Sequence, residues 1–336
     1  MSGKNAYGRR HRIIVRRLTL AVICSFGFAQ PVGSQAAVRH TSLRIGLVTA
    51  DSAHAPSGAI SVARGVRLGA AEGKQTAALF GDSVELYEVD GSGPTALSGA
   101  EHLSSTRKVQ VLIGVSAVDA EALSRFAESH HILFFNAASP SQALRAACRR
   151  YTFHVEATDA MYANAAQAAR RWPVTTSADA SAPTERPGRD SVALWGPTLQ
   201  RYGASQLNDR YRDRYHSGMD GFAWAGWAAV KIATEAALRT RSTSPAKLLA
   251  YLASPTTQFD GHKGWSLTFR PADHQLRQPL YIAMLSGAGE YRYSDVPELR
   301  DDSSLGAPRD PGGHTAYGML DSLVASPDSR ICKWRS

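Results

Sequence analysis

The stretch VQVLIGVSAVDAEALSRFAESHHILFFNAAS, residues 109–139, decides the fold. Two short apolar runs, 109–113 and 132–135, flank one amphipathic segment. Each run ends in small or polar residues: Gly114-Val115-Ser116 after the first, Asn136-Ala137-Ala138-Ser139 after the second. Apolar runs of this length read as strands buried on both faces, and the segment between them as a crossover helix. Ser116 sits in N-cap position with Asp119 three residues on, close to a capping box. Val118, Ala122, Leu123, Phe126 and Ala127 form the helix's apolar stripe. Ligands of open parallel sheets gather at the carboxyl ends of the strands, where these small polar residues lie.

The same alternation extends on both sides. Residues 43–48 and 84–89 read as strands, with Ile60, Ala63, Val66 and Ala70 at helical spacing between them. Ala96, Ala100 and Leu103 mark a second helix. Residues 151–155 give a fifth strand, and Thr158 caps a helix over 159–171. Five strands alternating with helices predict an α/β fold, a parallel sheet flanked by helices. The pattern then breaks at residues 173–189, rich in Pro, Ser, Thr and Ala, which read as a linker or loop. A short strand at 191–195 and a polar helix over 199–215 follow. Asp220 precedes a strong helix over 222–238, and Ser244-Pro245 opens another that runs to Leu252. Residues 265–269 and 280–285 are two late strands. From 287 onward the chain is polar and turn-forming.

Residues 1–36 have the pattern of a secretory signal peptide: a basic start, an apolar stretch over 18–29, and Ser34-Gln35-Ala36 as a cleavage site. The expected location is periplasmic. This leader holds six of the chain's basic residues and no acidic ones, so the net charge of +9 leaves +3 on the rest. The high basicity is therefore no nucleic-acid footprint, and no basic run interleaved with aromatics appears beyond the leader. Outside the leader the cysteines are Cys148 and Cys332. An oxidising compartment favours their pairing as a disulfide that closes the tail onto the body; two separate thiols are the alternative.

The search for catalytic chemistry is negative: there is no nucleophile elbow and no phosphate loop. His130-His131 is adjacent in sequence and suits a helix end better than a metal. No cofactor or metal site is indicated, and the reading is of a protein that is not an enzyme. Ser116 reads as a helix cap or as an anion contact at a helix N-terminus. Ser139 reads as a ligand contact or as a turn former. Trp224 and Trp227, three apart on one helix, suit core packing. Trp195, before Gly196-Pro197, reads equally as a cleft wall or as a structural aromatic.

The order of these pieces resembles the type I periplasmic binding proteins, specifically the leucine/isoleucine/valine-binding family of ABC importers. Residues 43–48, Ala63-Arg64-Gly65 with Leu68, and 84–90 match, as do 109–116, Ala137-Ala138-Ser139 and 153–159. The segment FDGHKGWSLTFRPADHQLRQPLYIAML, residues 259–285, is similar to the family's closing stretch. That segment, the helix over 222–238 and the tail MLDSLVASPDSRIC are closer to one subgroup, found with pyrroloquinoline-quinone (PQQ)-dependent alcohol dehydrogenase systems.

The resemblance implies a ligand held after the third and fourth strands, by Ser116, Ala137 and Ser139, with the loop 51–56, including Asp51, as a cleft wall. It implies a small polar, organic-acid or amino-acid-like ligand, an inner-membrane ABC permease and a periplasmic quinoprotein system as partners. It places a first lobe at 43–150 plus 222–256, a second at 151–221 plus 257–290, and a tail at 291–336. Only about 50 residues separate the helix ending near Arg171 from that beginning near Phe222, where each β-α-β unit needs about 30. The second lobe is therefore expected to be abridged. A degenerate scaffold that serves as a periplasmic accessory or protein-interaction partner is the alternative.

Overall fold

The computed structural model describes residues 40–50, 57–171, 191–285, 291–295, 320 and 332. The leader, the loop 51–56 with Asp51, and the linker 173–189 lie outside them. Five strands, β1 (Ser42–Thr49), β2 (Ser83–Asp90), β3 (Val111–Gly114), β4 (Leu133–Asn136) and β5 (Thr152–His154), form one parallel sheet in the order β2-β1-β3-β4-β5. Successive side chains of a strand point to opposite faces, and the core divides accordingly. Leu43, Ile45, Leu47, Val111, Ile113, Leu133 and Phe135 enter one apolar cluster. Val48, Leu112 and Phe134 enter the other.

The smaller cluster is closed by α2 (Pro94–Ser105) and α3 (Ala120–His130), through Ala96, Ala100, Leu103, Leu123 and Ala127. The larger is closed by α1 (Ser57–Ala78) and α7 (Gly221–Thr240). These two helices touch backbone to backbone. A methyl group on Gly65 would lie 1.9 Å from the carbonyl oxygen of Ala223, and one on Gly226 would lie 2.3 Å from that of Val62. Glycine is required there because no Cβ fits.

Between α5 (Asp159–Arg171) and α7, the described residues hold β6 (Val192–Ala193), a 3-10 turn (Arg201–Gly203) and α6 (Ala204–Tyr215). After α7 and α8 (Pro245–Leu252) come β7 (Phe259–Asp260), β8 (Ser266–Phe269), β9 (Leu276–Arg277), β10 (Tyr281–Leu285) and β11 (Tyr291–Asp295). β6, β10 and β11 form one three-stranded antiparallel sheet, in the order β11-β10-β6; β7, β8 and β9 form another. No second parallel layer occurs among the described residues, in keeping with an abridged lobe. The described residues, all from His40 onward, fall in one compact unit.

Several expectations are corrected. α3 begins at Ala120 with Asp119 as N-cap, because residues 117–119 form a turn first. Ser116 Oγ accepts the Asp119 N–H at 3.4 Å, while the Asp119 carboxylate accepts from Gly93 N–H, so no capping box forms. The turn carries Val118 off the apolar stripe, and it is 88% exposed. β5 is hydrogen-bonded to β4 and extends the first sheet past residue 150. The stretch from 287 onward includes β11, which pairs along all of β10. The pairing of Cys148 with Cys332 favoured from the sequence, by contrast, is present, as a disulfide across 184 positions.

Candidate functional site

A cavity of about 580 Å³ opens at the carboxyl ends of β4 and β5. Pro140 comes from the loop after β4, Glu156 from the second residue past β5, and Tyr162 from the first turns of α5. The opposite wall is β6 with Leu194, Trp195 and Pro197, and the rim is the start of α7: Asp220, Gly221 and Phe222. Parallel sheets leave such a crevice because the loops at their carboxyl edge diverge around the strand ends.

The loops after β4 and β5 are held from behind by one buried arginine. Arg145, on the short helix α4 (Gln142–Ala146), donates to the carbonyls of Ser139 (2.6 Å), Ser141 (3.0 Å) and Glu156 (2.6 Å). Its Nε donates to Gln275 Oε1 at 3.0 Å. Asn136 completes the clamp: its amide donates to the Ser139 carbonyl and its Oδ1 accepts the Ser139 N–H. Burial pulls the guanidinium's pKa down to about 10, opposed by nearby Glu156 and Asp273. The arginine stays charged at neutral pH.

Glu156 lines the cavity and is only 2% exposed. Tyr162 Oη donates to its Oε1 at 2.5 Å. Burial pushes its pKa up to about 7, against the Tyr162 hydrogen bond and the charges of Arg145 and Lys263. Lys263 is buried as well. Its Nζ donates to the carbonyls of Leu194 (2.7 Å) and Pro279 (3.1 Å) and to Gln278 Oε1 (2.9 Å), and lies 3.9 Å from the Trp224 ring centre. At the rim, Asp220 caps α7: Oδ1 accepts the Ala223 N–H and Oδ2 accepts from Ser61 Oγ.

The residues singled out from the sequence fall in different places. Trp195 lines the cavity and is also structural: it stacks on Trp224 at 6.0 Å and its Nε1 donates to Asn208 Oδ1. Ala137 is fully buried in the larger core cluster. Ser139 is buried next to the lining, its hydroxyl accepting the Ser141 N–H in a turn. Ser116, at the end of β3, is half-buried and is not among the described lining residues. Asp51 is outside the described residues. The sequence reading missed Glu156, Tyr162 and Arg145. Glu156 was within reach, since it directly follows a strand of the parallel sheet; Arg145 carried no pattern to mark it.

Trp224 and Trp227 are core residues, as their spacing suggests. Among the described residues no group of three His, Cys, Asp or Glu side chains is placed to hold a metal ion. No described helix is long and apolar enough to cross a membrane.

Residues 42–178 match a family model described as a periplasmic binding protein. No curated protein matches the chain. Solved structures do. A branched-chain amino acid ABC transporter periplasmic ligand-binding protein from Burkholderia xenovorans is 13% identical over 78% of this chain and 98% of its own, with a TM-score of 0.62. A leucine binding protein from Thermotoga maritima is 15% identical over 75% and 97%, with a TM-score of 0.56. An ABC transporter solute binding protein from R. palustris, in complex with benzoate, is 15% identical over 76% and 96%, with a TM-score of 0.59. These proteins are binding components of transporters, and identities this low speak to the fold. With its five-stranded parallel sheet flanked by helices, the chain has the α/β fold of the type I periplasmic binding proteins.

Proposed function

We propose that this protein is the periplasmic solute-binding component of an ABC importer. It captures a small polar solute, of organic-acid or amino-acid character, and delivers it to an inner-membrane permease. The observation that carries this reading is the cavity's place: at the carboxyl ends of β4 and β5, facing β6 and the start of α7. Its volume falls in the range of about 300–1,000 Å³ usual for small-ligand sites. The solved proteins of the same fold, named for leucine or found with benzoate, support a small molecule as ligand.

The finer parts of this reading rest on sequence. The leader pattern of residues 1–36 supports export. The segments 222–238 and 259–285 support a link to a PQQ-dependent alcohol oxidation system, with a quinoprotein as neighbour. Division into a larger lobe and a reduced one, with the cavity between them, belongs to the same reading.

A thermal-shift screen of the purified protein against amino acids, amines, carboxylic acids, short alcohols and the quinone cofactor tests it. The expected result is stabilisation by one chemical class, diminished by Glu156→Gln or Tyr162→Phe. The second reading, a scaffold turned accessory partner, is favoured by the small antiparallel sheet that stands where a full second lobe would be. No stabilisation by any solute decides for that reading.

A further inference from the structure

We infer that the cavity selects a ligand presenting a positively charged nitrogen, an organic ammonium group, with Glu156 as its counter-ion and aromatic walls around its apolar body. This rests on the reading of the cavity as a solute site and narrows its ligand class to amines.

The lining supplies the argument. Its described residues hold two carboxylates, Glu156 and Asp220, and three aromatic rings, Tyr162, Trp195 and Phe222; none of them is Lys, Arg or His. An ionised carboxylate has about four acceptor positions, and Tyr162 fills one at Oε1. A buried carboxylate needs a paired charge, and an ammonium group with its three donors answers that need. Rings of Tyr and Trp attract a cation over their faces and shield it from water.

The nearby cations are directed elsewhere. Lys263 gives its three N–H donors to the Leu194 and Pro279 carbonyls and Gln278 Oε1. Arg145 donates to the Ser139, Ser141 and Glu156 carbonyls and Gln275 Oε1, behind the wall. The helix starts beside the lining are already met: Asp220 accepts the Ala223 N–H at α7, and Thr158 Oγ1 accepts the Met161 N–H at α5. A carboxylate ligand would bring a third negative charge to this lining.

Proton binding competes with the ligand. The groups that bear on Glu156 are Tyr162 from α5, Arg145 from α4, Lys263 from the segment before β8 and the Ala157 backbone N–H, with Asp220 across the cavity. Burial outweighs them, so the carboxyl is half protonated at about pH 7. A cation binds the ionised form.

Titration calorimetry of the purified protein with shape-matched pairs, benzylamine against benzoate and butylamine against butyrate, tests the inference. At about pH 8, at least one amine is expected to bind more than roughly tenfold tighter than its matched acid. Lowering the pH to about 6, where both amines stay protonated, is expected to weaken it about tenfold, as the ionised fraction of Glu156 falls. Glu156→Gln, which keeps an acceptor for Tyr162, is expected to abolish both the preference and the pH effect. Tyr162→Phe removes a donor that favours the carboxylate, so the midpoint of the pH effect moves upward. Equal or tighter binding of the acids overturns the inference and leaves the solute-binding reading standing. So does amine binding that neither variant changes. Failure of both amines, with binding elsewhere in the solute screen, also overturns the inference alone; silence across the whole screen overturns both.

Discussion

Glu156 sets an opposing trend against two histidines in the protein's response to acid. Its carboxyl rises from 4.5 to about 7 through burial. Between those values the folded state holds a proton that the unfolded chain has released, so raising the pH across the window destabilises the fold. The full effect is on the order of 3 kcal/mol above about pH 7. His154 and His274 act the other way. Burial lowers His154 well below its usual 6.5 and His274 to about 4; His274 also stacks on Phe153 at 4.4 Å. As pH falls from 6.5 towards 4, the unfolded histidines take up protons that the folded ones refuse, and stability is lost. Near pH 5.5 the two histidines outweigh the one carboxyl, so these three groups together lose stability as the pH falls. Glu156→Gln removes the opposing group. The variant is expected to be more stable than the parent at about pH 8, and to lose stability about twice as steeply near pH 5.5. Urea melts across pH, one series per protein, check both; a variant less stable at high pH contradicts the assignment.

At the scale of elements, the α1–α7 contact is the most demanding junction described. Gly65 and Gly226 let two long helices approach until one backbone lies against the other. Gly65→Ala places a methyl group inside the Ala223 carbonyl, and no side-chain rotation relieves a clash with backbone. The expected cost is about 1–3 kcal/mol or more, typical of overpacking, with α7 pushed outward. A lowered denaturation midpoint with an unchanged far-ultraviolet spectrum is the expected readout. Since α7 also carries Asp220 and Phe222 to the cavity rim, the same variant is expected to weaken solute binding. The strands were legible because each is an apolar run with a period of two between faces. The start of α3 was not, because Ser116 and Asp119 both suit an N-cap and the choice turned on Gly93, 26 positions away.

At the scale of the molecule, the disulfide between Cys148 and Cys332 ties the tail to the end of α4, beside the arginine that holds the cavity loops. It closes a loop of 184 positions, and long loops give the larger entropic effect on the unfolded state. Cys148→Ser, or reduction of the parent, is expected to cost about 2–5 kcal/mol in a thermal melt. Equal melting with and without reductant would count against this cross-link as a contributor to stability.

Local periodicity by itself determined the parallel sheet, the helices that cover it and the cap at Thr158. Those features depend on residues within one or two turns of each other. The tertiary structure decided the cavity. Glu156, Trp195 and Asp220 meet there across long stretches of sequence, brought together by β6 and α7 closing on the strand ends. It also decided which polar residues remain available: Ser139 turns inward because Asn136 and Arg145 hold its backbone, while Glu156 is left facing the cavity. Burial and its effect on charge are properties of assembled neighbours, and no single stretch of sequence contains them.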